Sequence, residues 1–133
     1  MPIILMDIIE RRDLVGHSNW LFVFGDNFAG VGRGGQAAEC RGEPNAVGIA
    51  TKRAPSMAPG AFLSDADINR WRAHNKDAFA LIETALETGK TVVLPSAGIG
   101  TGRAELEQRA PLIWAELQVW LDKLKQDHYV HKP

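Results

Sequence analysis

The chain has 133 residues, enough for one domain with its own core, and carries 15 Lys and Arg against 16 Asp and Glu for a net charge of −1. That balance excludes a global attraction to nucleic acid or anionic membrane, so any contact with a polyanion has to be local. The single cysteine, Cys40, excludes a disulfide within the chain and fits a reducing, cytoplasmic compartment.

Ile3 to Ile9 is short and rich in isoleucine, which predicts a buried first strand, followed by a charged turn at Glu10 to Asp13. The acids Asp7 and Glu10 interrupt this apolar start and no basic stretch precedes it, so no signal peptide is expected; nor does any run reach membrane-spanning length. Leu21 to Phe24 reads as the second strand and runs into the cluster GDNFAGVGRGGQA. Gly34 to Arg41 has room for a short helix, with Gly42 placed to stop it and Pro44 to prevent its resumption. Ala46 to Ala50 is a third strand, and Lys52 to Leu63, with Pro55, Pro59 and Gly60, is a surface loop.

The second helix has the strongest signature. Ser64 stands as N-cap with Asp67 three residues later, and Ile68, Trp71, Ala78, Phe79, Ile82, Ala85 and Leu86 follow at helical spacing up to Gly89. Thr91 to Leu94 is a fourth strand and runs into PSAGIGTG. Leu106, Ala110, Ile113, Leu117, Trp120, Leu121 and Leu124 mark one face of a closing helix that has Pro111 in its first turn. His128 to Val130 could add a short edge strand. The alternation predicts a single α/β domain over residues 1–133: three layers, with a mostly parallel (mixed) sheet flanked by helices.

Of the 13 glycines, eight fall within Gly25 to Gly35 and Gly98 to Gly102, each group beyond the end of an apolar strand and before a helix. Glycine turns at such ends leave backbone N–H groups bare where the helix dipole favours negative charge, and parallel sheets place ligands beyond the carboxyl ends of their strands. Two loops of this kind point to a ligand with two phosphates, or with a phosphate and a sugar between them; tight turns alone are the plainer alternative. Gly30, Gly32 and Gly35 satisfy GxGxxG formally. However, Thr51, Lys52 and Arg53 stand where a dinucleotide site needs an acid about 20 residues on, and no Walker Gly-Lys-Ser/Thr is present.

The run NAVGIATKRAP (Asn45 to Pro55), then a helix, then VVLPSAGIGTGRAEL (Val92 to Leu106), resembles macrodomains, the ADP-ribose-binding fold. The similarity is greatest to the branch of terminal ADP-ribose-glutamate hydrolases and of antitoxins that remove ADP-ribose from DNA. The stretch GRGGQAAECRGEPNAVGIATKRAPSMAPGAF also resembles small bacterial and phage proteins of unassigned function. The resemblance implies that Ser96, Ala97, Gly98, Ile99, Gly100, Thr101 and Gly102 wrap a diphosphate and distal ribose. It implies that the segment with Gly32, Gly34 and Gly35 forms the other wall of the groove. It implies ADP-ribose or an ADP-ribosylated substrate as partner, with nucleic acid involved only where that substrate is ADP-ribosylated DNA.

Lys52, at the end of the third strand, matches the position at which the branch carries a lysine that attacks the ribose anomeric carbon. That role needs a free amine near neutrality; a solvated lysine or a point charge on phosphate is the alternative. The branch also has an acid after its diphosphate loop, where this chain has Ala104. Glu105 next to it could substitute, or could stabilise a helix dipole instead, and without an acid the domain would bind rather than hydrolyse. Asp26 and Asn27 could meet a ribose hydroxyl or position a water, although turn propensity explains them too. Arg33, Gln36 and Thr51 complete the candidate ligand contacts, Arg33 as a bidentate phosphate partner. Asp7 or Asp13 could serve the adenine region, and Phe28 or Phe62 could stack on it. The four tryptophans and Cys40 read as packing residues. The histidines have no metal-ligand company, so no metal and no cofactor is expected.

Overall fold

In the computed structural model, which describes residues 3–133, five strands form one sheet in the order β3-β2-β4-β1-β5. The strands are β1 (Ile3–Met6), β2 (Leu21–Asn27), β3 (Ala46–Lys52), β4 (Val92–Pro95) and β5 (Val130–His131). Every strand pair is parallel, with Ile3 against Val92, Leu21 against Val92 and Phe22 against Ala46. Among the described residues, the antiparallel component expected of a mixed sheet is confined to a single bridge between Lys52 and Phe62. Helices α1 (Arg11–Gly16), α2 (Ala37–Cys40), α3 (Ile68–Glu87), α4 (Leu106–Arg109) and α5 (Pro111–Asp127) cover the two faces.

Successive side chains on a strand point to opposite faces, and here each face has its own core. Ile3, Leu21, Val23, Ile49, Val92 and Leu94 pack with Trp71, Ile82 and Leu86 of α3 and with Ile113, Leu117 and Leu121 of α5. Phe22, Phe24 and Val93 pack the other way, on Leu14 of α1 and on Ala37 and Cys40 of α2. The strands are therefore almost continuously apolar, as a sheet covered on both sides requires. Burial pushes the Cys40 thiol up to about 11, so it stays protonated and packs as a small hydrophobe.

Several elements differ from the sequence expectation for identifiable reasons. The first strand stops at Met6, and the residues expected to form a charged turn begin α1: the Asp13 carboxylate accepts the Glu10 N–H at 2.8 Å in a capping box, and Leu14 anchors the helix. β2 and β3 run on to Asn27 and Lys52: regular pairing continues past Gly25 to Asp26 against Ala50, and a register shift then skips Thr51 so that Asn27 meets Lys52. The closing helix is split at Ala110, with Pro111 as the first residue of α5. The Ser64 and Asp67 capping box forms as the spacing predicts, ahead of α3. Burial alone would raise the Asp67 pKa, but the Ser64 backbone N–H and the Arg53 guanidinium at 2.6 Å hold it below the usual carboxylate value.

β3 lies at one edge of the sheet, and α3 satisfies its exposed backbone. The buried Asn75 accepts the Ala50 N–H at 2.8 Å, and the Trp71 indole donates to the Ala50 carbonyl at 2.8 Å. This fixes β3 at Ala50, immediately before Thr51 and Lys52. No helix among the described residues is long and apolar enough to cross a membrane.

Candidate functional site

Beyond the carboxyl ends of β2, β3 and β4 opens a cleft of about 340 Å³, inside the roughly 300–1,000 Å³ range of ligand sites. One wall is the segment after β2, lined by Asn27, Gly32, Gly34, Gly35 and Gln36. The facing wall follows β4 and is lined by Ala97, Gly98, Ile99, Gly100 and Thr101, while Asp26, Thr51 and Lys52 form the floor. The register shift explains the floor: it lets adjacent Thr51 and Lys52 both reach the cleft where regular alternation would send one away.

The backbone donors of the two walls are largely unspent. In the first, Gly30 N–H donates to the Asn27 carbonyl at 3.1 Å, and the next N–H with a backbone acceptor is that of Ala37, so those from Val31 to Gln36 have none among the described residues. In the second, Gly98 N–H donates to Pro95 at 3.0 Å and Ala104 N–H to Thr101 at 3.4 Å, which leaves Ile99 to Arg103 without one. Rows of free N–H groups on turns of this kind suit an anion.

Close approach explains two of the glycines. Gly32 has φ +103°, and a Cβ there would stand 2.6 Å from Pro55, where the loop after β3 abuts the first wall. Gly100 has φ +84°, and a Cβ there would stand 2.8 Å from the Leu106 side chain.

Arg41, a residue the sequence reading passed over, holds the first wall. Its Nε donates to the Gly32 carbonyl at 2.8 Å and its Nη1 to Gly30 at 2.7 Å. Nη2 reaches Val31 at 3.3 Å and Asp26 at 2.5 Å, and Nη1 also reaches Asp26 at 3.4 Å. All five guanidinium donors are thus committed within the protein. Asp26 in turn accepts from the Arg41 guanidinium as its ion-pair partner and accepts the Asn27 N–H at 2.8 Å, and its carboxylate lies against Gly48, where a Cβ would stand 2.7 Å from Oδ2.

Asn27 is only 6% exposed. Its Nδ2 donates to the Val31 carbonyl at 2.8 Å, while its Oδ1 has no partner among the described residues, and the Gln36 Oε1 is likewise buried and unpartnered among them. Buried acceptors without a donor are costly, by roughly 1–3 kcal/mol each, and a ligand hydroxyl would satisfy them.

Lys52 is 8% exposed. Its Nζ donates to the Ser56 carbonyl at 2.5 Å, lies 3.5 Å from Met57 Sδ and sits 4.6 Å above the Phe62 ring. Burial, then the Arg103 charge, lowers its pKa from the ordinary lysine value, with Glu105 opposing and Arg109 adding to the fall.

The remaining candidates lie elsewhere. Glu105, at φ +46°, is outside the cleft lining and pairs with Arg109 at 2.9 Å. Arg33 is exposed and, with Ser96 and Gly102, also falls outside the lining; the Ser96 hydroxyl donates to Asp7, which does line the cleft. Asp13 serves α1 as a cap. Neither Phe28 nor Phe62 lines the cleft: Phe28 packs under the Arg70 guanidinium, and Phe62 carries Arg109 3.6 Å from its centroid. No group of three or more His, Cys, Asp or Glu is placed to hold a metal among the described residues.

No local pattern marks Arg41, whose partners are mostly carbonyls. Arg103, also missed, carried a weak one as the first basic residue after the second loop. No curated protein and no solved structure matches the chain. A family model does match residues 4–120, a span that contains both walls, the floor and Arg41, and on that match the chain belongs to a family of unknown function, DUF7831.

Proposed function

We propose that the cleft binds ADP-ribose or a related nucleotide, and that the chain is a macrodomain-like recognition module for it. The observation that carries this reading is the pairing of two walls rich in unspent backbone N–H groups with the buried, unpartnered Oδ1 of Asn27 in the first of them. The N–H groups suit a diphosphate, and the amide oxygen suits a ribose hydroxyl. Two phosphates and a sugar in one cleft describe a nucleoside diphosphate sugar, and the resemblance of both loop sequences to macrodomains narrows that class to ADP-ribose. A cyclic relative of ADP-ribose has the same groups. The lone buried thiol of Cys40 fits a cytoplasmic setting.

A second reading, hydrolysis of an ADP-ribosyl bond on protein or DNA, draws on the lowered Lys52 pKa, which raises the free-amine fraction needed to attack an anomeric carbon. Two features favour binding over hydrolysis. Glu105 is turned to Arg109 outside the cleft, and Asp26 is neutralised by Arg41, so neither is free to protonate a leaving group.

Calorimetric titration with ADP-ribose tests the binding, and incubation with ADP-ribosylated glutamate peptide and ADP-ribosylated DNA tests release. Saturable binding with no release, by wild type or Lys52→Ala, is expected. Release that Lys52→Ala abolishes would establish the hydrolase, and absence of any nucleotide binding would refute both readings.

A further inference from the structure

The cleft is lined by three cations, and they are in different states. Arg41 has no donor left, and the Lys52 amine is held by the Ser56 carbonyl. Arg103 makes no ion pair and no side-chain hydrogen bond among the described residues, although it lines the cleft. It starts from the second wall, in the turn Gly102–Ala104, yet its Nη1 lies 3.0 Å from where a Cβ on Gly34 would stand, at the first wall. Its side chain therefore crosses the mouth of the cleft, and the absence of a side chain at Gly34 gives it room. Its charge reaches the floor as well, since after burial it is the largest influence on the Lys52 pKa.

An unpaired guanidinium laid between two rows of free backbone donors matches an acceptor with oxygens on both sides of it. A single phosphoryl group would use one row and one edge of the fork. Two linked phosphoryl groups would meet both rows and present parallel oxygens to the planar donors.

We propose that Arg103 is a strap that closes the cleft over two adjacent phosphoryl groups and makes the site selective for diphosphate esters over monophosphates. The strap rests on the nucleotide-binding reading above and assigns to that site its determinant of phosphate number. Arg103 is exposed and unpaired, so replacing it removes a ligand contact without removing a structural one.

Calorimetry on wild type, Arg103→Ala and Arg103→Lys with ADP-ribose, AMP and inorganic pyrophosphate tests the strap. Arg12→Ala serves as a control that removes an equal charge from an exposed site on α1. Arg103→Ala is expected to weaken ADP-ribose and pyrophosphate by about tenfold to a hundredfold and AMP by less than about threefold. Arg103→Lys falls between, because an ammonium keeps the charge without the fork. Arg12→Ala binds as wild type, and melting temperatures stay together. Wild-type affinity for ADP-ribose in Arg103→Ala, or an equal loss for AMP, overturns the strap and leaves the nucleotide reading standing. If wild type binds pyrophosphate but not ADP-ribose, the ADP-ribose reading fails, and the Arg103→Ala loss on pyrophosphate decides the strap. Binding of neither overturns both.

Discussion

The two walls of the cleft share a glycine-rich sequence and a place at a strand end, but they are held in shape differently. The second wall is organised by its own neighbours: Gly98 N–H bonds to Pro95, Leu106 N–H to Gly100 at 3.2 Å, and the Thr101 hydroxyl to Ala97 at 3.3 Å. The first wall is organised from a distance. Arg41, beyond α2, gathers the carbonyls of Gly30, Val31 and Gly32, the Asn27 Nδ2 donates a second bond to the Val31 carbonyl, and Pro55 of the next loop closes on Gly32. Turning carbonyls towards a guanidinium leaves the N–H groups of the same segment unspent, so the clamp that shapes the first wall also prepares it for an anion. A glycine cluster thus states that a loop is permitted, while the residue that selects one loop shape can lie elsewhere in the chain.

Removing the clamp should separate the walls most clearly. Arg41→Ala leaves a half-buried Asp26 carboxylate and three carbonyls without their donor, which should cost about 2–3 kcal/mol in denaturant unfolding, less than for a fully buried pair. Amide chemical shifts and backbone order parameters should change at Gly32 to Gln36 and stay as in wild type at Ile99 to Arg103. Equal loosening of both walls would show that they are one cooperative unit. The mirror experiment is Gly100→Ala, which forces a Cβ against Leu106 at positive φ. It should cost about 1–3 kcal/mol and disturb only the second wall in the same measurement.

The smallest effect concerns the floor. With its pKa lowered in the fold, Lys52 sheds its proton below the ordinary value of 10.5, while the unfolded chain still holds it. In that window the unfolded state binds more protons, so stability rises with pH up to 10.5, and the cost of the buried charge is fully present below the folded-state value. Unfolding free energies from pH 7 to 10 should climb more for wild type than for Lys52→Met. Parallel curves would place the Lys52 amine in solvent.

Elements whose information is local were legible in the sequence. The Ser64 and Asp67 box, the Gly42 and Gly89 stops, the two-sided apolar strands and the second glycine loop are all encoded within a few residues of where they act. No helical stripe marks α1, because a single buried residue, Leu14, and a Glu-Asp cap carry it. Asn75 reads as one more polar position on α3, and its bonds to Ala50 exist only once β3 lies beside it. Arg41 and Arg103 were hidden for the same reason. Their partners are a loop about ten residues upstream and the opposite wall of a cleft, whereas Arg33, favoured by its glycine neighbours, ends exposed outside the lining.

The central claim is that both walls hold one ligand through their backbone N–H groups. The most direct test is an amide NMR titration of the wild-type protein with ADP-ribose. The expected result is that resonances of Gly32 to Gln36 and of Ile99 to Arg103 shift together along one saturating curve, while those of Asn19, Trp20 and Thr88 at the opposite end of the sheet stay still. Shifts confined to one wall, or none at saturating nucleotide, would contradict it.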